Sequence, residues 1–282
     1  MKSILQLAHL NARVAGLGLL GRWLGTKEVA AGYDCVAATY EKVWQCHLRR
    51  TTDEFLQRLP SGLTGTILDL GSGTGYTARY LASINPKATL MAIDVSQGML
   101  NHARQQAPAN MHCVVSDMLK FLQAQSNESV SMIVSTWAMG YSHSTRVLEN
   151  CGRVLSRGGT LAFIVNYSDT LSAVFHVFQR CMLRFPNHVR LAAFPRFPKN
   201  WGFLQQALVQ NRFELEWHQD GLQKITPPKG ELLPWLRQTG VMAGFDAMLD
   251  LSGAAGDFFE TELARDRNNL FHHFAAAIAR KR

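Results

Sequence analysis

Residues 66–75 read Thr66-Ile67-Leu68-Asp69-Leu70-Gly71-Ser72-Gly73-Thr74-Gly75, a short apolar run that breaks into three glycines at alternate positions. Such a run fits a strand buried on both faces, and the glycines let the backbone turn tightly into a helix while a ligand approaches without Cβ atoms in its way. The pattern continues downstream. A helix is expected over 76–84, closed by Asn85-Pro86, then a strand over 90–94, a helix from Ser96 to the Ala107-Pro108 break, and strands over 111–115 and 130–135. A helix over 146–155, the turn Arg157-Gly158-Gly159 and a strand over 160–165 follow. Strands alternating with helices at this spacing predict an α/β fold, a doubly wound and mostly parallel sheet with its ligand site at the carboxyl ends of the strands.

Asp69, Asp94, Asp117 and Trp137 then fall along one rim. A carboxylate just before the glycine turn repels a pyrophosphate but attracts the ammonium or sulfonium of an amino-acid cofactor. Position 76 is Tyr, so the third glycine of a dinucleotide fingerprint is missing. Asp94 stands 19 residues after Gly75 at a strand end, where an acid accepts from ribose hydroxyls. Asp117, after Ser116, is placed to accept from an adenine amino group, although helix capping explains such an acid equally well.

Around the rim, 32–59 reads as one helix through Tyr33, Val36, Tyr40, Val43, Trp44 and Leu48, with Tyr33 and Tyr40 on a shared face. Residues 172–210 depart from the alternation. They are helical in pattern but broken by Pro186, Pro195 and Pro198, as in an inserted cap. A strand at 213–217, a helix at 232–238 and a last strand at 270–278 complete the chain. The expected divisions are an N-terminal helical segment (1–62), a binding core (63–169), a cap on the substrate side (170–212) and completion of the sheet (213–282).

With these residues in place, the chain resembles the class I S-adenosylmethionine-dependent methyltransferases of the small-molecule and ubiquinone-pathway type. The resemblance covers 33–165 and rests on Gly32-Tyr33-Asp34 with Tyr40, the glycine turn, Ile93-Asp94-Val95-Ser96 with Met99, Ser116-Asp117 and Arg153-Val154-Leu155-Ser156-Arg157-Gly158-Gly159-Thr160. It implies a seven-stranded sheet whose last strand is antiparallel, and S-adenosylmethionine as cofactor with S-adenosylhomocysteine as product. The implied cofactor residues are Tyr33, Tyr40, Asp69, Gly71, Ser72, Gly73, Gly75, Asp94, Val95, Met99, Ser116, Asp117, Met118 and Trp137. His143 is the best-placed general base for acceptors that need one, with a polar loop histidine as the plainer reading. Tyr141, Asn166 and Tyr167 are candidates to face the acceptor.

The formal charge of +8 is concentrated in 171–213, where Arg180, Arg184, Arg190, Arg196, Lys199 and Arg212 lie without any Asp or Glu and among aromatic residues. That mixture suits a small acidic or aromatic acceptor, free or on an acidic carrier protein, and makes Arg180 and Arg184 candidate substrate residues; a solvated helical face also accounts for it. Nucleic acid is disfavoured, because Ser135-Thr136-Trp137-Ala138-Met139 resembles neither motif of nucleic-acid methylation. The expected activity is methyl transfer to oxygen. An RNA or tRNA methyltransferase, a protein that binds the cofactor without transfer, and an NAD(P)-dependent reductase are the alternatives. No metal-ligand spacing is evident. Five cysteines, odd in number and without C-x-x-C, suggest reduced thiols and a cytoplasmic location. The first 25 residues form an amphipathic pattern with no acid before Glu28, fitting a helix docked on the core or a membrane-surface or transit segment; Arg13 argues against a secretory signal.

Overall fold

A computed structural model describes residues 2–193 and 197–282. Phe194, Pro195 and Arg196 of the expected cap lie outside the described residues. The chain runs through α1 (Lys2–Leu19), α2 (Thr26–Val36), a π-helical turn (Glu41–Gln45) and α3 (Cys46–Leu56). Then come β1 (Gly65–Leu70), α4 (Tyr76–Ile84), β2 (Ala88–Asp94), α5 (Gln97–Gln105), β3 (Met111–Val115), α6 (Met118–Gln123) and β4 (Val130–Thr136). They are followed by α7 (Ser144–Val154), β5 (Leu155–Asn166), α8 (Ser172–Arg184), α9 (Trp201–Gln210) and β6 (Phe213–Lys224). Helices α10 (Leu232–Leu236), α11 (Phe245–Met248) and α12 (Ala254–Arg265) lead into β7 (Phe271–Lys281).

Two compact units result, one of Met1–His47, Leu171–Pro195 and Lys224–Phe271, the other of Leu48–Thr170, Arg196–Gln223 and His272–Arg282. The second holds a seven-stranded sheet in the order β3-β2-β1-β4-β5-β7-β6. Strands β1 to β5 pair in parallel and β7 runs antiparallel to β5. This is the doubly wound sheet expected from the alternation. Its order reverses between β1 and β4, the place where open α/β sheets form a crevice beyond their strand ends.

Alternate residues of each strand serve opposite faces. Leu68, Leu70, Ile133, Leu161 and Phe163 pack with α6, α7 and α9, while Ile67, Leu90, Met132 and Ile164 pack with α3, α4 and α5. Ile67, Leu68 and Leu70 are completely buried, each burial stabilising by about 1.5–3 kcal/mol. Asp69 shares the face of Ile67, so a carboxylate stands in an otherwise apolar layer.

Three expectations about elements need correction. The helix read over 32–59 is broken after Val36, where the Thr39 hydroxyl donates to the Val36 carbonyl (3.2 Å) and competes with the helix backbone. The fifth strand begins at Leu155, not after Gly159: Val130 pairs with Leu155 and Met132 with Thr160, and Gly158 (φ 75°) occupies the bulge between them. Helix α9, read as part of a cap, instead buries Leu204, Ala207 and Leu208 in the core of the sheet unit, whereas α8 belongs to the other unit. Helices α6, α11 and α12 had no counterpart in the expected elements.

Candidate active site at the end of strand β1

The glycine turn joins β1 to α4. Gly71 has φ 75°, and a Cβ there would lie 2.1 Å from the Ala138 Cβ, so the turn packs directly on the segment after β4. Gly73 has φ 54°, and a Cβ there would meet nothing within 4 Å. The turn is thus tight on its protein side and open at its middle glycine. Gly75, in the left-handed region at φ 84°, ends the turn and begins α4.

Asp94 fastens this turn. Its Oδ2 accepts from the Gly73 amide (2.8 Å) and its Oδ1 from the Ser96 amide (2.9 Å), while its carbonyl takes the Ser116 amide (2.9 Å). Each oxygen of a carboxylate accepts more than one hydrogen bond, so holding the turn is compatible with accepting from a ligand diol.

Asp69 is completely buried and neither oxygen has a hydrogen-bond partner. Burial, reinforced by the Asp94 charge, pushes its carboxyl up to about 8; the Ala78 amide near the start of α4 pulls the other way without reaching hydrogen-bond geometry. The hydroxyls of Ser72 and Thr74 in the same turn are also buried without partners. Buried polar groups are ordinarily satisfied, so three orphaned side chains around one turn are an exception that calls for an explanation.

The remaining rim residues divide. Asp117 Oδ1 accepts from the Leu119 and Lys120 amides at 3.0 Å and so caps α6, the alternative role weighed for it. Ser116 is half-buried and its hydroxyl donates to the Asp117 carbonyl (3.1 Å). Val95 is half-buried; Met99 and Met118 are buried, Met118 in the apolar layer beside Gly71. Trp137 takes a left-handed backbone (φ 63°), donates from Nε1 to the Thr52 hydroxyl (2.9 Å) and packs against Phe274 and His272.

On the acceptor side, Asn166 is buried with Oδ1 3.0 Å from His272 Nδ1. Tyr167 is buried and donates its hydroxyl to Asp220; burial and that bond raise its pKa. The Tyr167 hydroxyl is therefore engaged with Asp220 within the fold. Tyr141 meets the Phe197 ring edge-on at 5.5 Å. His143 is exposed, standing at the N-cap of α7 without a side-chain capping bond.

Four predicted residues belong to the other unit. Tyr33 and Tyr40 do meet, edge-on at 6.1 Å, over Gly240, although no single helix carries them. Arg180 pairs with Glu262 (3.4 Å), and the Arg184 guanidinium lies over Phe185 and Phe258. The basic segment that looked uncompensated finds acids from α12 and from Asp250, which Arg190 engages. Sequence reasoning missed Thr74, Thr52 and Asp53, which accepts from the Tyr76 hydroxyl. The burial of Leu48, Thr52, Phe55 and Leu56 along α3 is the signal that places Thr52 on an inward stripe. Among the described residues, no three His, Cys, Asp or Glu side chains gather as metal ligands.

A family model described as a methyltransferase domain matches residues 67–159. The malonyl-[acyl-carrier protein] O-methyltransferase of Methylococcus capsulatus is 35% identical over 156 residues, covering 54% of this chain and 54% of that one. The biotin biosynthesis bifunctional protein BioHC of Cellvibrio japonicus is 36% identical over 137 residues, 47% of this chain and 26% of that one. The chain thus spans about half of the first relative and a quarter of the second. Among solved structures, a Haloferax volcanii protein in complex with the Trm112 methyltransferase activator superposes with a TM-score of 0.56 at 19% identity, over 89% of this chain and 96% of that one. The geranyl diphosphate C-methyltransferase of Streptomyces coelicolor A3(2) gives 0.51 at 15% identity, over 83% and 80%. These structural likenesses concern the fold. Residues 67–159, which carry the glycine turn and its orphaned polar groups, thus match a methyltransferase domain within the seven-stranded sheet.

Proposed function

We propose that the protein binds S-adenosylmethionine at the β1 glycine turn and transfers its methyl group to an oxygen of a small acidic acceptor presented on a carrier protein. The observation that carries the cofactor half is Asp69, a buried carboxylate without a hydrogen-bond partner beside an open glycine. A cationic amino-acid group would satisfy it and a pyrophosphate would not, which separates this reading from a nicotinamide-dependent reductase. Ser72 and Thr74 would give their orphaned hydroxyls to the same ligand, and Asp94 would accept from its diol.

When bound, the cofactor supplies a methyl group already activated on a sulfonium. The protein's own residues then have to bind, orient and exclude water. Gly73 leaves room, Asp69 offers a countercharge in a dry layer, and the Gly71–Ala138 contact holds the turn against the segment after β4. A carboxylate acceptor is nucleophilic without deprotonation, so the exposed position of His143 is no obstacle. The acceptor half rests on the relatives: besides the malonyl-carrier enzyme, a trans-aconitate 2-methyltransferase of Methylobacterium nodulans is 28% identical over 162 residues, and both names specify acidic substrates. The cytoplasm is the proposed compartment, in keeping with cysteines that are free throughout the described residues.

Calorimetric titration with S-adenosylmethionine, S-adenosylhomocysteine and NADH, followed by mass spectrometry of malonyl-carrier protein incubated with enzyme and cofactor, tests both halves. Binding of the first two alone, with a methyl ester on the malonyl group, is expected. Binding of NADH in their place overturns the site; cofactor binding without methylation of carboxylate acceptors overturns the activity.

A further inference from the structure

Helix α1 is apolar on two sides. Toward its own unit it buries Leu17, half-buries Leu10 and Val14, and is tied by Arg13, whose Nε donates to the Val189 carbonyl (3.0 Å). On the other side Ile4, Leu5, Ala8, Ala12, Ala15 and Leu19 are all exposed. At 3.6 residues per turn these six fall within one arc of about 100°. Exposure reaches 71% at Ile4, 66% at Leu5 and 90% at Leu19, and beyond the helix Leu20 (76%) and Trp23 (42%) extend the surface. A surface helix ordinarily places charged residues on its outer face; this arc has none.

Six of the eleven large hydrophobic side chains exposed among the described residues lie between positions 4 and 23. A patch so concentrated marks a contact surface. The charge beside it identifies the chemistry of what it meets. Arg22 and Lys27 are exposed and lie within a few residues of Leu20 and Trp23 along the chain, and no Asp or Glu occurs before Glu28, whose carboxylate accepts from the Gly25 amide (2.9 Å).

We propose that the outer face of α1 docks on a bilayer surface rich in anionic lipid. The apolar arc enters the acyl boundary, Trp23 sits at headgroup depth and Arg22 and Lys27 meet the headgroup charge. A second copy of the chain would cover the apolar arc but would bring no acid to the two cations from its own first 27 residues. No helix among the described residues is long and apolar enough to cross a membrane, so the contact is peripheral.

The test is co-sedimentation of the full chain with phosphatidylcholine vesicles that contain or lack phosphatidylserine, in low and high salt, alongside the double variant Ile4→Glu, Leu19→Glu. Both replaced side chains are exposed, so the variant should keep its fold and its cofactor binding. Binding to the phosphatidylserine vesicles that weakens with salt and falls about tenfold or more in the variant is expected. Equal binding to both lipids, equal binding of the variant, or absence of binding overturns the proposal. So does a concentration-dependent dimer in sedimentation velocity that the double variant abolishes, since a second copy would then occupy the face.

Discussion

Gly71 and Gly73 share a left-handed backbone and differ in what surrounds them, so equal substitutions should have unequal effects. Gly71→Ala drives a Cβ into Ala138 at 2.1 Å and is expected to lower stability by about 1–3 kcal/mol through overpacking, in addition to its backbone strain. Gly73→Ala meets open space and should cost only about 1–2 kcal/mol for the left-handed conformation, yet it places a methyl where the ligand approaches. Thermal melts paired with S-adenosylhomocysteine titration separate the two: the first variant should lose stability foremost, the second affinity. Asp94→Ala removes the acceptor that fastens Gly73 and Ser96 and should weaken cofactor binding by roughly 1.5–3 kcal/mol, the range for hydrogen bonds to a charged group. Unchanged calorimetric affinity in that variant would count against the assignment of the diol to Asp94.

At the scale of elements, α3 reaches into the rim through one hydroxyl. Thr52→Val keeps the shape but leaves the Trp137 Nε1 without its acceptor, which should lower the unfolding free energy by about 1–2 kcal/mol in urea, whereas Thr52→Ser should retain most of it. Stability retained in Thr52→Val and lost in Thr52→Ser would instead assign the effect to packing of the methyl group. This contact also shows where sequence reading stops. Strands β1 to β4, the helix Tyr76–Ile84 and the acids at 69 and 94 were legible because each depends on a short local pattern, apolar run then glycine or proline. The break after Val36 was not, since the Thr39 amide and hydroxyl both turn to the Val36 carbonyl, a local choice that no apolar spacing marks. Nor was the destination of α9, whose Leu204, Ala207 and Leu208 could face any apolar layer. The cap arginines looked uncompensated because their acids, Asp250 and Glu262, lie some 60 to 80 residues further along the chain. Asp117 was the reverse case: its capping role is written locally, and the cap is what forms.

For the molecule as a whole, the buried Asp69 links stability, ligand and pH. Its carboxyl is raised from 3.8 to about 8 in the folded chain. Below the lower value both folded and unfolded states hold the proton; between the two, the folded state keeps a proton that the unfolded state has lost. Stability contributed by this group is therefore fully present at low pH, falls as pH rises through the window and levels off above about 8. Between about pH 6 and pH 9 the ligand-free protein should lose on the order of 2–3 kcal/mol that Asp69→Asn, with no proton to lose, does not. A cationic ligand reverses the preference, because it stabilises the ionised carboxylate. Binding near neutral pH should then release a proton, visible as a dependence of the calorimetric enthalpy on the ionisation heat of the buffer, and affinity should rise with pH up to the raised value. In Asp69→Asn the buffer dependence should vanish together with most of the affinity. A wild-type protein that binds the cofactor without proton release, and melts in parallel with Asp69→Asn across the pH range, would show that Asp69 is ionised before the ligand arrives. The orphaned carboxylate would then have a countercharge within the fold, and the cation site would have to be sought elsewhere on the rim.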